Sequence, residues 1–550
     1  MSVTLAWVVL TWACSWGYMG ADAMETGQFY SSLAQMESLF DFDEGVGELL
    51  LDFPEHLPAA TRYLESYVGV QADRDLGREI RGHPIHVFLA LKRLVLFWPR
   101  IAPMLVVYTK LEEGSCQDRD TGCEGWALAG NCLHYHDYMI EHCTRACRAC
   151  LSPGLKEQVM WVMTTASNIP MPSMHDLRGA ALALSRLQNY YRIPVGNFMT
   201  GRIEDAHCTP RLTVDDCILV ADVTHAHGKY SEAYIWYDYC QASAYIDPRL
   251  QAEIKARKET VEAEHDLKFN AGNLNFFPNP LRETKNQLPW DTPFSQLCRG
   301  VHYREDKDQS GLQCYVDNRN SPYLTLQPVR YEQLHINPEM YLFHDVISDA
   351  EIAVVKDLAM KTLQRSVTLS PTNHNVTEQR VSHTAWLQNS SHAVLTRLAH
   401  RIADVTQLEA HEEQLSTRSA EELQVLNYGI GGLYNAHNDV LYKSHPEDEW
   451  SRVPVYLSER EAGDRIATWM FYLSDVIAGG RTAFPEANIA VTPEKGAAVL
   501  WYNLKKNGRF NSKALHGGCP VLLGQKWVAN RWIRENANFR RRPCSTNPRE

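Results

Sequence analysis

Apolar residues follow helical spacing through the N-terminal part of the chain. Most of these positions are three or four residues apart, which places them on one face of a helix. The first run consists of Phe29, Leu33, Met36, Leu39 and Phe40. Similar spacing covers residues 59–70 and 85–97. The pattern predicts a helical N-terminal domain over residues 24–110.

A second helical region is predicted over residues 155–277. The segments 176–191 and 214–244 have the periodicity of paired helices. Helical hairpins of this kind stack into concave surfaces, and the tetratricopeptide repeat is one such unit. The segment 247–269 is charged and has little apolar periodicity, so the second hairpin is predicted to be short. Proline, asparagine, glutamine and charged residues then indicate a linker over residues 278–331.

β-Branched, aromatic and other apolar residues dominate the C-terminal part. Glycine, proline and asparagine turn signals separate these runs, which is typical of short antiparallel strands. The four clearest runs are 421–439, 464–486, 496–504 and 516–532. They predict a jelly roll, that is, a double-stranded β-helix, across residues 421–532. The whole chain is therefore predicted to be a multidomain α+β protein.

The candidate chemistry lies in this last region. His437 and Asp439 are two residues apart, so in a strand their side chains would point the same way. With a second histidine, His516, they have the form of the two-histidine, one-carboxylate triad that holds Fe(II) and leaves positions open. A bare His-x-Asp also occurs by chance. Lys526 would lie on a neighbouring strand as a compact cation for the carboxylate of a co-substrate.

Composition and charge limit the classes of function that are possible. The chain of 550 residues is 45% apolar and 22% charged, which suits a soluble globular protein with several domains. Its net charge of −12, with no long basic run, argues against nucleic acid as a partner. An apolar run at 3–16 and a small-x-small site at 21–23 predict a signal peptide over residues 1–23. A membrane anchor is the alternative, but the run is short for a bilayer, and no later segment predicts a membrane span.

Cysteine usage indicates an oxidising compartment. Of the 14 cysteines, one lies in the predicted signal peptide and six lie between positions 116 and 150. Three disulfides would constrain this small segment, although six cysteines allow 15 connectivities. A zinc site is the alternative, and the single Cys-x₂-Cys spacing argues against it. Sequons at Asn375 and Asn389 predict a glycoprotein, and no Lys-Asp-Glu-Leu retrieval signal ends the sequence.

Residues 332–544 contain a series of motifs around the candidate metal ligands. These are YGIGGLY, RIATWMFYLSDV, GGRTAFPE, WYNL and HGGCPVLLGQKWVANRW. The region resembles the catalytic domain of collagen prolyl 4-hydroxylase α subunits, of the Fe(II)/2-oxoglutarate dioxygenase superfamily. The resemblance implies hydroxylation of prolines in X-Pro-Gly peptides with O₂, Fe(II), 2-oxoglutarate and L-ascorbate. His437, Asp439 and His516 would ligate the iron, and Lys526 would pair with the far carboxylate of 2-oxoglutarate.

The same resemblance implies roles for residues around the metal. Tyr428 and Thr482 are candidate hydrogen-bond partners of 2-oxoglutarate, with ordinary strand packing as the alternative. Contacts with the substrate peptide are implied at Tyr434, Arg465 and Trp532.

Three positions depart from the family pattern. Asn438 stands in place of a phenylalanine between two ligands, and Leu515 in place of an arginine before His516. Arg534 stands in place of a histidine that assists 2-oxoglutarate handling. None of the changes removes a metal ligand, and slower turnover is their expected consequence.

The helical regions resemble other parts of the same α subunits. Residues 24–110 resemble the dimerisation segment. Residues 155–277 resemble the domain that cradles proline-rich peptides in the polyproline II form. Tyr230 and Asn273 are the candidate peptide contacts there, with core packing as the alternative for the aromatic residue.

Residues 116–150 resemble the ShK-toxin-like (ShKT) module. That family implies the pairings Cys116–Cys150, Cys123–Cys143 and Cys132–Cys147. The α subunits imply two more, Cys298–Cys314 and Cys519–Cys544, whereas Cys208, Cys217 and Cys240 are not assigned. A structural or protein-binding appendage is the preferred role of the module, with channel blocking as the alternative.

The preferred hypothesis is an active prolyl 4-hydroxylase α subunit in the lumen of the endoplasmic reticulum. By resemblance, it would assemble with protein disulfide isomerase as the β subunit of an α2β2-type oligomer, and the retrieval signal of that partner would retain it. Two alternatives stay open: a hydroxylase of a non-collagen secreted protein, and a catalytically weak luminal binding protein. Retention of all three ligands and Lys526 favours an enzyme.

Overall fold

A helical part precedes a β-rich part in the computed structural model. The described residues are 29–53, 58–67, 81–111, 116–208, 211–243, 247–270, 292–301, 311–369, 374–375, 377–411, 418–453 and 455–547. The predicted signal peptide, residues 278–291 and 302–310 of the predicted linker, and the candidate peptide contact Asn273 lie outside them. Within these ranges, no helix is both long and apolar enough to cross a membrane.

The N-terminal helices form where the apolar spacing predicts them. They are α1 (Glu37–Asp52), α2 (Pro58–Glu65), α3 (Pro84–Lys92) and α4 (Trp98–Thr109), preceded by 3₁₀ turns at Phe29–Ser31 and Leu33–Met36 and interrupted by a π-helical turn at Arg93–Phe97. A proline begins α3, where the missing N–H is not needed, and His83 accepts a hydrogen bond from the Ile85 N–H. Phe40, Val46 and Leu49 of α1 are fully buried.

A buried ion pair joins α1 to the π-helical turn. Arg93 donates to both oxygens of the Asp43 carboxylate, with the closest contact at 2.6 Å. The Tyr63 hydroxyl donates to the same carboxylate at 2.6 Å. Neither charged side chain is more than 2% exposed. Because the partners satisfy each other, removal of one leaves an uncompensated buried charge.

Three short helices and three disulfides form the cysteine-rich module. The helices are α5 (Cys123–Leu128), α6 (Asn131–His134) and α7 (His136–His142). All three pairings implied by the ShKT resemblance are present, namely Cys116–Cys150, Cys123–Cys143 and Cys132–Cys147. The module packs on α4, where the ring of His136 lies 5.9 Å from that of Tyr108.

Six helices form the second helical region. They are α8 (Pro153–Asn168), α9 (Met174–Tyr191), α10 (Val195–Thr200), α11 (Val214–Ala226), α12 (Tyr230–Ser243) and α13 (Pro248–Asn270), with a hairpin of β1 (Arg202–Ile203) and β2 (Ala206–His207) after α10. Capping boxes begin α9, at Ser173 and Asp176, and α11, at Thr213 and Asp216. A disulfide that the sequence left unassigned, Cys217–Cys240, joins α11 to α12.

The prediction of a short second hairpin is wrong, because α13 is a full helix of 23 residues. Ile254 and Val261 anchor it in the core. Lysine side chains add to this contact, since the ammonium of Lys258 lies 4.8 Å from the ring centre of Tyr234. Long lysine stems can pack on aromatic faces, and apolar periodicity does not detect such contacts.

The β-rich part is a sandwich of a large and a small sheet. Its strands are β3 (Cys314–Asp317), β4 (Val329–His335), β5 (Met340–His344), β6 (Gln364–Arg365), β7 (Thr368–Leu369), β8 (His374–Asn375), β9 (His383–Leu387), β10 (Leu423–Tyr428), β11 (Tyr434–His437), β12 (Arg465–Tyr472), β13 (Ala478–Gly479), β14 (Thr482–Phe484), β15 (Ile489–Val491), β16 (Ala498–Tyr502), β17 (His516–Gly518), β18 (Val521–Leu523) and β19 (Lys526–Arg534). The large sheet has the order β3-β4-β5-β16-β12-β19-β10-β9-β6, and the small sheet has the order β11-β17-β14-β15. Two further pairs, β13-β18 and β7-β8, are separate.

Helices cover one face of the large sheet. The helices of this part are α14 (Pro293–Cys298), α15 (Asp349–Met360), α16 (Ala393–Thr406) and α17 (Leu457–Glu461), with 3₁₀ turns at Pro322–Leu324, Asn389–Ser391, Glu447–Arg452, Ser512–Ala514 and Asn536–Asn538. Trp469 and Phe471 of β12 pack in one core with α15 and α16. The alternate residues Met470 and Tyr472 pack in a second core with Phe484 of the small sheet. The space between the two sheets therefore receives every second side chain of β12.

The two disulfides predicted for the catalytic region are wrong. Cys298 pairs with Cys519, and Cys314 and Cys544 are exposed thiols outside any disulfide. Cys298 ends α14 and is buried with Cys519 and Phe294 in a small apolar cluster beside β14. Cys314 begins β3, at the edge of the large sheet. The packing of α14 against the small sheet thus determines the pairing.

We expect Asp43→Asn to lower the free energy of unfolding of the helical part by about 3–5 kcal/mol, because it leaves the Arg93 guanidinium buried without a counter-charge. Asp41→Asn is the matched control. Asp41 pairs with Arg81 at 2.7 Å but is 63% exposed, so its loss should cost less than about 1 kcal/mol. Urea unfolding followed by tryptophan fluorescence measures both, and equal effects would contradict the expectation.

Candidate metal centre

The pairing of β11 with β17 brings two histidines together. His437 ends β11 and lies directly opposite His516, which begins β17. Their ring centroids are 4.5 Å apart. Asp439 lies two residues beyond the end of β11 and not within a strand, but its carboxylate still reaches both rings. One ligand atom of each of the three residues lies within 4.8 Å of the others.

Hydrogen bonds set the orientation of both imidazoles. Nδ1 of His437 is 2.8 Å from the carbonyl oxygen of Asn435, and Nδ1 of His516 is 3.0 Å from that of Ala514. Since a carbonyl only accepts, each Nδ1 donates this hydrogen bond, which leaves Nε2 of each ring as the atom that can face a metal. Burial, with His516 nearby, lowers the pKa of His437 to about 3, so its ring is neutral at physiological pH.

The carboxylate of Asp439 is held by a second set of contacts. Its Oδ2 accepts a hydrogen bond from the Thr468 hydroxyl at 2.6 Å, and the Asn503 amide donates to that hydroxyl at 2.9 Å. Burial raises the pKa of Asp439, but the two histidines, the Arg465 guanidinium and the hydrogen bond from Thr468 together outweigh burial, so the pKa lies below its usual value. Asp439 is thus an ionised ligand, 3.8 Å from Nε2 of His437 and 3.6 Å from Nε2 of His516.

Lys526 provides an isolated cation between the sheets. It is 3% exposed, and among the residues that the structure describes no carboxylate pairs with its ammonium. Burial lowers its pKa to about 7. A Cβ added to Gly518, two residues after His516, would lie 4.0 Å from both the ammonium of Lys526 and the hydroxyl of Tyr428. The ammonium therefore lies beside the strand that carries a metal ligand, where an anion would neutralise it.

The two residues expected to assist co-substrate binding lie next to this ammonium. Lys526 donates to the Thr482 hydroxyl at 3.3 Å, and the ring of Tyr428 lies 5.7 Å from Nζ. Burial raises the pKa of Tyr428 to about 12, so its hydroxyl is a hydrogen-bond donor at physiological pH. Tyr472, which the sequence did not indicate, donates to Thr482 at 2.9 Å.

The three residues implied for peptide contacts also lie at the centre. The ring of Tyr434 stacks on that of His437 at 3.6 Å with an interplanar angle of 21°. Arg465 donates from Nη1 to the carbonyl oxygen of Asp439 at 3.0 Å, and its guanidinium lies 3.8 Å from the ring centre of Trp532. Their role in peptide binding stays a prediction.

Arg534, which replaces a family histidine, belongs to a buried ion-pair cluster. Its Nη1 contacts Glu421 at 2.9 Å and its Nη2 contacts Glu459 at 3.0 Å. Glu421 also accepts two hydrogen bonds from Arg465, each 2.7 Å long. Burial raises the pKa of Glu421, but Arg465 and Arg534 outweigh burial and lower it overall. Arg534 thus shares its main partner with the arginine that contacts Asp439.

The other two residues that differ from the family pattern are less buried than Arg534. Asn438 is exposed between the two ligands, and Leu515 is half-buried before His516. Among the residues that the structure describes, neither side chain forms a hydrogen bond or ion pair with a ligand of the triad, so the structure assigns them no effect on the metal.

Sequence reasoning missed the residues that support the ligands. Thr468 and Tyr472 lie on the same face of β12, and the alternation of that strand was readable. Which strand faces Asp439 was not readable, since β11 and β12 belong to different sheets. No sequence pattern indicated the role of Glu421, because it lies before β10 and accepts a hydrogen bond from Arg465, which is distant in the chain.

The residues present fit a ferrous ion. Two neutral imidazoles and one carboxylate are the donor set of Fe(II) oxygenase sites, in which the remaining positions stay open. The outer contacts through Nδ1 and Thr468 are those that orient metal ligands in proteins. His437 keeps 22% of its side chain exposed, so the centre opens on that side.

Comparison with known proteins identifies the family. A model described as the 2OG-Fe(II) oxygenase superfamily matches residues 423–534, and one described as ShK domain-like matches residues 115–150. Prolyl 4-hydroxylase subunit alpha-1 of Bos taurus is 33% identical over 423 residues, which cover 68% of this chain and 76% of that protein. The chain belongs to the prolyl 4-hydroxylase α-subunit family. The prediction of an Fe(II)- and 2-oxoglutarate-dependent prolyl 4-hydroxylase is thus confirmed.

A second relative and a solved structure are also similar to this chain. Prolyl 4-hydroxylase subunit alpha-3 of Mus musculus is 34% identical over 432 residues, covering 69% of this chain and 77% of that protein. Among solved structures, the viral collagen prolyl hydroxylase vCPH from Paramecium Bursaria Chlorella virus-1, in its 2OG complex, is 26% identical. That match covers 36% of this chain and 95% of the viral chain, with a TM-score of 0.26.

We expect His516→Ala to weaken Mn²⁺ binding by at least about 100-fold, because outer contacts of a ligand alone are worth 10–100-fold. Equilibrium dialysis measures the affinity. His344→Ala is the control, since His344 contacts Glu332 at 2.8 Å on the large sheet and is not part of the triad. A variant lacking His516 that binds Mn²⁺ like the unchanged protein would refute the site.

Proposed function

We propose that this chain 4-hydroxylates prolines in X-Pro-Gly-type segments of secreted polypeptides, using Fe(II), 2-oxoglutarate and O₂, with L-ascorbate as the supporting reductant. The main support is one juxtaposition. Three ligand atoms lie within 4.8 Å of one another, and the buried ammonium of Lys526, which pairs with no carboxylate of the described residues, lies beside β17, the strand of His516. A protein that only bound a partner would have no need of a buried charge of this kind, which is costly.

One group of residues would bind the metal, and a second group would orient the co-substrate. His437, Asp439 and His516 would hold the ion, which together with bound 2-oxoglutarate supplies the oxidising chemistry. The ammonium of Lys526 would pair with the far carboxylate, and Thr482 would keep the ammonium in place. Burial of these groups excludes water, which strengthens each charge interaction and protects the reaction from solvent.

The finer architecture and the cellular setting complete the proposal. The sandwich would be a double-stranded β-helix, and α8 to α13 a tetratricopeptide-like peptide-binding domain. The protein would enter the endoplasmic reticulum through a signal peptide, receive glycans at its sequons, and join protein disulfide isomerase in an α2β2-type oligomer. The five disulfides among the described residues support an oxidising compartment.

One observation supports a substrate other than collagen. In the helical region, the ring of Tyr230 is 6% exposed and that of Tyr234 is 5% exposed. Lys268 and Lys258 of α13 lie over these rings at 4.5 and 4.8 Å. Prolines of a polyproline II peptide would need such aromatic faces, so coverage by lysine favours a different peptide preference.

We expect the full chain, produced with protein disulfide isomerase, to release CO₂ from 2-oxoglutarate in proportion to hydroxyproline formed in a (Pro-Pro-Gly)-type peptide. Mass spectrometry of the peptide and ¹⁴CO₂ release measure the two products. His516→Ala should abolish both, because it removes a metal ligand. Hydroxylation of non-collagen proline peptides alone would select the second substrate class, and release of neither product would refute the enzyme.

We expect the affinity for 2-oxoglutarate to fall as pH rises above about 7. Lys526 has a pKa of about 7 in the free protein, and only its protonated form attracts the carboxylate. Below that pH the dissociation constant should be flat, and above it the constant should rise by up to about tenfold per pH unit. Calorimetry with Mn²⁺-loaded protein measures it. Lys526→Met should bind weakly at every pH, and a flat profile for the unchanged protein would contradict the assignment.

A further inference from the structure

The end of helix α9 contacts the strand that carries His437 and the turn that follows the strand of His516. Tyr190 donates from its hydroxyl to the side-chain oxygen of Asn435 on β11 at 3.2 Å. The next residue, Tyr191, donates from its hydroxyl to the carbonyl oxygen of Pro520, in the turn between β17 and β18. One helix end therefore contacts the chain two residues before His437 and again four residues after His516.

Asn435 connects this helix to a metal ligand. Its backbone carbonyl oxygen is the acceptor for Nδ1 of His437 at 2.8 Å, while its N–H donates to the carbonyl of Gln379 at 2.8 Å. A shift of Asn435 would therefore rotate the imidazole of His437. The hydroxyl of Tyr190 is a contact from the helical part that restrains the side chain of this residue.

The loop before β11 fits closely against the same helix. Arg186 donates from Nη1 to the carbonyl of Gly431 at 2.8 Å and pairs with Glu378. Gly431 has a φ of +64°, and a Cβ there would lie 2.9 Å from the Cβ of Ala183. The loop that leads into the strand of His437 thus approaches α9 as closely as a residue without a side chain allows.

The His516 side is held by a covalent link. The disulfide Cys298–Cys519 ties α14 to the residue that follows β17. Arg299, the residue after α14, donates from Nη1 to the carbonyl of Tyr190 at 2.9 Å. The ring of Phe294 lies 2.7 Å from the position of a Cβ added at Gly517, directly after His516. Helices α9 and α14 therefore brace the two ligand strands from outside the sandwich.

We propose that helix α9, through Tyr190, positions the iron ligands, so that the metal affinity depends on the helical part. The inference rests on the proposed iron site. Tyr190 is a positioning residue and touches neither metal nor substrate. It acts on His437 indirectly: Tyr190 hydrogen-bonds to Asn435, and Asn435 hydrogen-bonds to His437.

The test uses the full chain, produced with protein disulfide isomerase, and Co²⁺ as the probe. Tyr190→Phe should weaken Co²⁺ binding by about 3- to 10-fold, less than the 10–100-fold of a residue that contacts a ligand directly, and should shift the visible ligand-field bands. Asn435→Ala should have a similar effect. The double variant should bind Co²⁺ about as weakly as either single one, because both changes remove the same link.

Tyr237→Phe is the matched control. Tyr237 of α12 donates from its hydroxyl to Asp222 of α11, and it is more deeply buried in the helical part than Tyr190. Its loss should lower thermal stability without moving the Co²⁺ affinity or the spectrum. If Tyr190→Phe does not fold, Tyr191→Phe, which frees the Pro520 carbonyl, tests the same brace by the same measurements.

The results can distinguish failure of the proposed role of Tyr190 from failure of the proposed iron site. Binding and spectra of Tyr190→Phe that equal those of the unchanged protein would overturn the inference alone. Equal losses in Tyr190→Phe and Tyr237→Phe would also overturn it, since they would indicate general loosening. An unchanged protein that does not bind Co²⁺ would overturn the proposed iron site, and the inference with it.

Discussion

The pairing of His437 with His516 across β11 and β17 is the contact on which the rest of the centre depends. Every other ligand or support is placed relative to this pair, including the carboxylate of Asp439 between the rings. The pairing requires a close approach, because a Cβ at Gly517 would lie 2.8 Å from the carbonyl oxygen of Tyr434. A side chain there would therefore separate the two strands, and with them the two imidazoles.

Most buried charged side chains near the metal centre have a partner of opposite charge or a hydrogen-bond donor from the chain itself. The exception is the group that a bound co-substrate would neutralise. Asp439 is held by Thr468, and Glu421 by Arg465 and Arg534. Lys526 differs, since no carboxylate of the described chain pairs with it and its pKa is lowered accordingly. The cost of burying that ammonium is recovered when an anion binds, which favours a dicarboxylate co-substrate over a neutral one.

Much of the site was readable from the sequence because its residues are close together in the chain or belong to strong motifs. His437 and Asp439 are neighbours, and the ShKT cysteines lie within one short segment. The errors arose where distant segments meet. Cys298 pairs with Cys519, a separation of 221 residues, and α13 is held by lysines over aromatic rings contributed by α12. Local pattern carries no information on such partners.

By itself, the sequence determined the types of element, the donor set and the family, because apolar period, ligand chemistry and motif identity are properties of residues in order. Only the tertiary structure decided that β12 of the large sheet provides Thr468 to Asp439 and that Arg534 belongs to an ion-pair cluster. It also decided that the end of α9 contacts the strand of His437 and the turn after the strand of His516. Those contacts join residues far apart in the chain, and their geometry depends on how sheets and helices pack as whole bodies.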